Sequence, residues 1–200
     1  MNLMPSFSPN IDETKHWRRL LAGDQEALAF FYEKYVDFLL KYGMSVTYNR
    51  DVVQDAVQEL FINVWNRRQN LTVPDSVKYY LMVSLRRIIL KDVINSRLST
   101  DSFSDESLSY LYHESMYTDE NEEDIHRKLQ EAVRSLPTRQ QEVIFLRFFE
   151  KLSYEEITTI TGLEYQILRN TIYRAIKTLR HVLVEKISLI SFVSFLTSFL

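Results

Sequence analysis

A chain of 200 residues, 46% of them hydrophobic, is long enough to form one large or two small domains with a buried core. Gly and Pro are scarce and apolar residues recur at helical spacing, which predicts an all-α protein. Cysteine is absent, which excludes a disulfide framework and cysteine metal sites, and the formal net charge is only −3.

That charge is unevenly distributed. Residues 98–124 contain nine acidic residues and no Lys or Arg, residues 1–97 contain thirteen basic against eleven acidic residues, and residues 125–200 contain eleven against seven. Two mildly basic ends therefore flank an acidic centre, which says more about partners than the average charge. The first fifteen residues lack the basic start and apolar core of a signal peptide, which predicts a cytoplasmic location.

The N-terminal part is predicted to be a lead-in, residues 1–22, followed by a first helical domain at 23–97. The lead-in is expected to be mobile through residue 14, where Pro and polar residues dominate, and helical from His16 to Leu21.

The next two helices are predicted from their end signals. Asp24 is placed as the N-cap of a helix that ends near Gly43. Asp51 and Gln54 form a capping-box pattern, so another helix is predicted to begin at Asn49 or Asp51. The apolar side of the earlier helix comprises Leu28, Phe31, Tyr35, Phe38, Leu39 and Tyr42. The core side of the later one comprises Val53, Ala56, Val57, Leu60, Phe61, Val64 and Trp65.

The opposite face of the later helix combines acids and an amide with one aliphatic side chain. Its members are Asp55, Gln58, Glu59 and Ile62. One interpretation is a solvated surface. The other is a protein-docking patch, because interfaces commonly place an apolar anchor inside a polar rim.

The last helix of this domain is predicted from Val77 to Arg97, after a loop from Asn70 to Ser76. Its buried side comprises Val77, Leu81, Leu85, Ile88 and Ile89. Aromatic and basic residues are interleaved along it, namely Lys78, Tyr79, Tyr80, Arg86, Arg87 and Lys91. Such residues suit single-stranded nucleic acid, because bases stack on rings while cations hold the backbone. Ordinary core or rim tyrosines are the alternative.

Residues 98–124 are predicted to be an acidic flexible linker, because they are Ser-rich and lack helical periodicity. A helix is predicted from Ile125 to Ser135, and a capping-box pattern at Thr138 and Gln141 predicts another through Phe149. The core residues of the second of these helices are predicted to be Val143, Ile144, Leu146, Phe148 and Phe149.

Residues 153–181 have the pattern of a helix-turn-helix. Ser153 and Glu156 form a capping box, Gly162 is placed to end the first helix with a positive φ, and a second helix begins near Tyr165. The predicted buried side of the second helix comprises Leu168, Ile172, Ala175, Ile176 and Leu179. Its other face comprises Gln166, Arg169, Asn170, Tyr173, Arg174 and Lys177.

The outer face of this second helix has the chemistry of a DNA reader. Arginine pairs bidentately with guanine and Asn or Gln with adenine, so Gln166, Arg169 and Asn170 are candidate base readers. The later cations of the face, with Arg180, are candidate phosphate contacts. An amphipathic helix with a solvated basic face is the alternative.

Residues 185–200 form an apolar tail that is shorter than the roughly twenty residues of a membrane span. Packing on the protein or a partner is the first interpretation, and peripheral membrane contact the second. No glycine-rich phosphate loop is present, and the four histidines lack metal-ligand spacing. Neither a cofactor, a metal nor an enzymatic activity is therefore predicted.

Two blocks of the chain resemble the extracytoplasmic-function class of sigma factors, in the sigma-70 family. Asp51 to Trp65 is similar to its polymerase-docking helix, whose pattern is D-x-x-Q-[DE]-x-F-x-x-x-W. Leu136 to Leu163 is similar to its C-terminal helix-turn-helix domain. The resemblance implies a region 2-like domain at 23–97, the linker, and a region 4-like domain at 125–184.

The resemblance also implies roles for the three faces. Contact with the clamp helices of the largest polymerase subunit is implied for Asp55, Gln58, Glu59 and Ile62. The loop from Asn70 to Ser76 and the helix after it would open and hold the minus-10 element, with a flipped base in the loop. Reading of the minus-35 element is implied for Gln166, Arg169, Asn170 and Tyr173.

The chain departs from the family pattern at three places. Tyr80 stands where a Trp is common, and Ile88 where an Asn is usual. The Thr-Val-Lys-Ser-Arg of the recognition helix is replaced by residues 167–171, Ile-Leu-Arg-Asn-Thr. Promoter preference is therefore not carried over.

The resulting prediction is a sigma factor that has no catalysis of its own, delivers RNA polymerase core to promoter DNA and assists strand opening. An anti-sigma factor that covers the same faces is compatible with this prediction. A conventional dimeric helix-turn-helix regulator and a membrane-recruited interaction protein that uses the apolar tail are the alternatives.

Overall fold

All regular elements are helices in the computed structural model, which describes residues 11–96, 129 and 131–186, without the side chains of 94–96 and 183–186. The predicted all-α class is confirmed. The chain divides into two compact units, residues 1–108 and 109–200. The predicted helix end at Arg97, the acidic linker at 98–124 and residues 187–200 of the tail lie outside the described residues. In the described part of the chain, no helix has the length and apolar character needed to cross a membrane.

The N-terminal unit contains four α-helices. They are α1 (Ile11–Leu21), α2 (Gln25–Val46), α3 (Arg50–Arg67) and α4 (Val77–Ser96), with a 3₁₀ turn, Arg68–Asn70, after α3. Helices α2, α3 and α4 pack against one another, and α1 packs on α2.

Helix α1 belongs to the core of this unit. The predicted mobile lead-in is wrong for residues 11–14, because α1 begins at Ile11. Trp17 and Leu20 are fully buried, and the carboxylate of Glu13 accepts hydrogen bonds from Lys34 Nζ at 2.7 Å and the Tyr35 hydroxyl at 2.6 Å. Burial and this carboxylate raise the pKa of the Tyr35 hydroxyl well above its ordinary value. The lead-in is therefore docked wherever it is described.

The start of α2 is confirmed and its end is corrected. Asp24 is the N-cap, and its side chain accepts a hydrogen bond from the Glu26 amide at 2.9 Å. A side-chain hydrogen bond from Arg19 lowers the pKa of Asp24. The predicted end near Gly43 is wrong, because the helix continues to Val46.

Gly43 is a packing position inside α2. A Cβ built at this residue would lie 2.5 Å from Val53 Cγ1 of α3, which is closer than real Cβ atoms come to other heavy atoms. Glycine therefore lets α2 and α3 approach closely here.

Replacement of Gly43 by Ala is expected to lower the free energy of unfolding by about 1–3 kcal/mol through overpacking. The gain in helix propensity, up to about 1 kcal/mol, opposes this loss and is the smaller of the two. Urea unfolding of the full chain measures the effect. In a Val53→Ala background the methyl group has room, so the loss should shrink or reverse there. An equal loss in both backgrounds would contradict the packing explanation.

Helix α3 is capped by Asn49. Its Oδ1 accepts hydrogen bonds from the amides of Asp51 at 3.1 Å and Val52 at 3.2 Å. The predicted capping box of Asp51 and Gln54 is therefore wrong, because Asp51 already lies inside the first turn.

The predicted core sides of α2, α3 and α4 are largely confirmed. On α2, Leu28 and Phe38 are only partly buried. On α3, Trp65 is partly exposed because its ring carries the Arg68 guanidinium, 4.1 Å from the centroid. On α4, Ile88 is partly buried, while Met82, which the periodicity missed, is almost fully buried. The remaining predicted core residues of these three helices are buried.

The C-terminal unit begins, in the described residues, with helical residues 131–134. Three α-helices follow, α5 (Thr138–Ile144), α6 (Tyr154–Thr161) and α7 (Tyr165–Lys186), and α5 continues as a π-helical segment, Phe145–Phe149. Helix α7 packs on α5 and α6. A hydrophobic cluster of this unit contains Ala132, Val133, Leu136, Ile144, Ala175 and Leu179.

Two predictions for α5 are corrected. Pro137 occupies the N-cap position without a side-chain cap, so the capping box of Thr138 and Gln141 is wrong. Gln141 instead donates from Nε2 to the Leu136 carbonyl at 2.7 Å, because its side chain is buried beneath the preceding turn. Phe149 is 38% exposed, since the wider π turn rotates it outward, and Phe145 is buried in its place.

Candidate docking and nucleic-acid faces

The outward face of α3 presents all four predicted docking residues to solvent. Asp55, Gln58 and Glu59 are exposed, and the side chain of Ile62 is 57% exposed. The Glu59 carboxylate accepts a hydrogen bond from Asn63 Nδ2 at 3.2 Å. The other side of α3 is buried against α2 and α4. An aliphatic side chain in a polar rim is thus held on a rigid helix, the arrangement of a protein interface.

The loop that precedes α4 is tied down at both ends. The Leu71 amide donates to the Arg68 carbonyl at 3.3 Å, and Ser76 Oγ accepts from the Tyr79 amide at 3.3 Å. In between, the Thr72 carbonyl accepts a hydrogen bond of 3.1 Å from Trp17 Nε1 on α1. Only the tip of the loop is therefore left exposed.

The six predicted nucleic-acid residues of α4 differ in exposure. Arg87 and Lys91 are exposed, whereas Lys78, Tyr79, Tyr80 and Arg86 are partly buried. Lys78 Nζ lies 4.1 Å from the centroid of the Phe38 ring, and the Tyr80 ring packs edge-on against Trp17 with centroids 5.4 Å apart. Tyr80 thus has a packing role, and part of its ring still reaches solvent.

The helix-turn-helix of the C-terminal unit has the predicted ends. The Glu156 amide donates to Ser153 Oγ at 3.2 Å and the Ser153 amide donates to the Glu156 carboxylate at 2.6 Å, so the capping box is confirmed. Gly162 has a φ of 70°. A Cβ there would meet nothing within 4 Å, so the backbone angle, rather than space, favours glycine.

The two sides of α7 are those the sequence predicts. Leu168, Ile172, Ala175 and Leu179 are buried, and Ile176 is partly buried. The exposed residues include Gln166, Arg169, Asn170, Tyr173, Arg174 and Lys177.

The exposed face of α7 is cationic and partly pre-ordered. Gln166 Nε2 donates to Asn170 Oδ1 at 3.3 Å, which orients both amides one helical turn apart. Tyr173 is 67% exposed, and no acidic residue occurs between Tyr165 and His181. Arginine and amide side chains near the N-terminus of such a helix can reach base edges in the major groove.

The two units hold their faces separately, and within the described residues no group of His, Asp or Glu is arranged to hold a metal ion. Sequence reasoning assigned no role to α1, although Lys15 and Arg18 are exposed on it. Helical spacing placed them on one side, but their nearness to the loop before α4 arises only from the tertiary fold.

Comparisons with known proteins agree on one family. The family described as Sigma-70, region 4, matches residues 126–179. The RNA polymerase sigma factor SigV of Bacillus subtilis is 30% identical over 134 residues, 66% of this chain and 76% of SigV. The ECF RNA polymerase sigma factor BldN of Streptomyces coelicolor is 26% identical over 167 residues, 82% of this chain and 63% of BldN.

Solved structures show the same fold. The sigma factor RpoE of Bartonella quintana, solved with the anti-sigma factor NepR, has a TM-score of 0.59 at 20% identity over 78% of this chain and 98% of that one. CnrH, solved with the cytosolic domain of CnrY, has a TM-score of 0.58 at 16% identity over 88% of this chain and 99% of that one.

Proposed function

The chain belongs to the extracytoplasmic-function sigma factors of the sigma-70 family, and we propose that it grips RNA polymerase through α3 and promoter DNA through α4 and α7. As a sigma factor it directs the polymerase core to promoters and assists DNA melting when transcription starts. Its relatives are initiation factors and not enzymes. Its place of action is the compartment of the polymerase, the cytoplasm.

The supporting observation is that three chemically different faces are exposed on packed helices. Helix α3 offers an aliphatic anchor with acids beside it, which suits a protein partner. The exposed face of α7 has cations and amides without acids, which suits duplex DNA.

We assign the site residues by these faces. The clamp helices of the largest polymerase subunit meet Asp55, Gln58, Glu59 and Ile62. The minus-10 element meets α4 through Lys78, Tyr79, Tyr80, Arg86, Arg87 and Lys91. The minus-35 element meets α7 through Gln166, Arg169, Asn170, Tyr173, Arg174 and Lys177.

The domains follow the same assignment, with one change at each end. Helix α1 joins the region 2-like domain, because Trp17 and Leu20 are buried in its core. The region 4-like domain extends to Lys186, the last residue of α7. One neighbour in fold was solved with an anti-sigma factor. We propose that such a factor is also a partner of this chain.

A reconstitution experiment tests the function. The purified chain and polymerase core should co-elute on size exclusion, and the complex should select duplexes with two separated sequence boxes from a random library. The chain without core should select none. Tight binding of a palindromic duplex by the chain alone would instead support a dimeric regulator.

A further inference from the structure

A cleft of about 800 Å³ lies between α1 and the loop that precedes α4. Lys15, Arg18 and Arg19 line it from α1, and Val73, Pro74 and Asp75 line it from the loop. Its volume is within the range of about 300–1,000 Å³ that is typical of ligand sites. The roles proposed above do not use the α1 side of this cleft.

The α1 wall of the cleft carries two available cations. Lys15 and Arg18 are exposed and three residues apart, so they lie on one side of the helix. Among the described residues neither side chain pairs with an acid, whereas Arg19 is held by Asp24 at 2.8 Å and Glu26 at 3.5 Å. Asp75 is the only carboxylate among the described lining residues. The wall therefore has an excess of positive charge.

The two walls are fixed relative to each other. Trp17, which lies between the two cations in sequence, is fully buried and donates from Nε1 to the Thr72 carbonyl of the loop. Glu13 ties the first turns of α1 to Lys34 and Tyr35 of α2. The cleft is therefore formed before any ligand arrives.

The walls also differ in chemistry, which indicates the kind of ligand. Cations line the α1 side, while Val73 and Pro74 make much of the loop side apolar. A single strand of nucleic acid presents phosphates along one edge and bases along the other, and such strands bind where cations face an apolar surface. A duplex presents phosphates on both outer edges and does not match this asymmetry.

We infer that the cleft binds the backbone of the opened non-template strand, with phosphates against Lys15 and Arg18 and a sugar or base against Val73 and Pro74. This inference rests on the proposed function, because that function places the loop from Asn70 to Ser76 at the opened minus-10 element. Helix α1 then acts as a second contact for the separated strand, beside the loop.

The test uses the chain assembled with polymerase core and two forms of one promoter, a full duplex and a duplex opened at the minus-10 element. Lys15→Ala with Arg18→Ala is expected to weaken binding of the opened form by about tenfold at low salt. The salt dependence should fall by about one counterion for each cation removed. Affinity for core and for the full duplex should not change.

A chemical probe locates the contact on the DNA. Single phosphates of the opened strand are replaced by neutral methylphosphonates. One or two positions should weaken binding by the wild-type assembly and have no effect on the double variant. Arg67→Ala removes an exposed cation that is not among the cleft residues and should behave like wild type. Lys15→Arg with Arg18→Lys keeps the charge and should restore most of the affinity.

Three results would overturn the inference. They are a loss of core affinity in the double variant, equal weakening on both DNA forms, and no phosphate whose effect depends on Lys15 and Arg18. Each can occur while the wild-type assembly binds its promoter normally, so they are distinct from failure of the proposed function. Because both side chains are exposed, thermal unfolding of the variants should match that of wild type.

Discussion

Replacing Ile62 by Asp is expected to weaken binding of polymerase core by about 30- to 1,000-fold. Truncating an anchor at the centre of an interface costs about 2–4 kcal/mol, and each 1.4 kcal/mol is a factor of ten in affinity. The aspartate adds the cost of placing a carboxylate in a desolvated apolar contact. Because the Ile62 side chain is 57% exposed in the free chain, folding should be little affected.

Fluorescence anisotropy of the labelled chain, titrated with core, measures this affinity. Asp55→Lys with Glu59→Lys reverses two charges of the same face and should also abolish tight binding. Asp37→Lys reverses an exposed acid on α2, away from this face, and is the matched control. Unchanged binding by the Ile62 variant, with a wild-type unfolding curve, would remove α3 as the docking helix.

Arg169→Ala is expected to cost about 1–3 kcal/mol at one or two positions of the minus-35 element and little elsewhere. An arginine that pairs bidentately with guanine contributes discrimination as well as affinity, so its loss should relax the preference at those positions. The side chain is exposed on α7, and the buried side of that helix is unaffected by the change.

Binding of the assembled polymerase to a set of promoters with single changes in the minus-35 element measures this effect. Arg180→Ala removes another exposed cation of α7 nearer its C-terminal end and should weaken all sequences about equally. A uniform loss for Arg169→Ala as well would make Arg169 a phosphate contact instead of a base reader.

The helix-turn-helix could be predicted almost completely because its signals are local. Ser153 and Glu156 are three residues apart, and Gly162 answers to its own backbone angle. The exposure of Ile62 and Arg169 likewise follows from helical periodicity, which assigns each position to one side of its helix.

Predictions failed where a residue type serves more than one purpose. Glycine ends helices, but Gly43 instead allows α2 to approach Val53 of α3, which lies ten positions further along the chain. Capping-box patterns also occur where another residue takes the cap, as Asn49 does ahead of Asp51. The choice depends on the backbone angles at the helix start, which neighbouring elements help to set.

Sequence by itself determined the all-α class, the family and the side of each helix that carries the candidate contacts, because periodicity and caps are properties of neighbouring residues. Only the tertiary structure decided that α1 is part of the core and that Lys15 and Arg18 share a cleft with Val73 and Pro74. The hydrogen bond from Trp17 to Thr72 joins residues 55 positions apart, and such a pairing arises only when the packing of α1, α2 and α4 brings the two segments together.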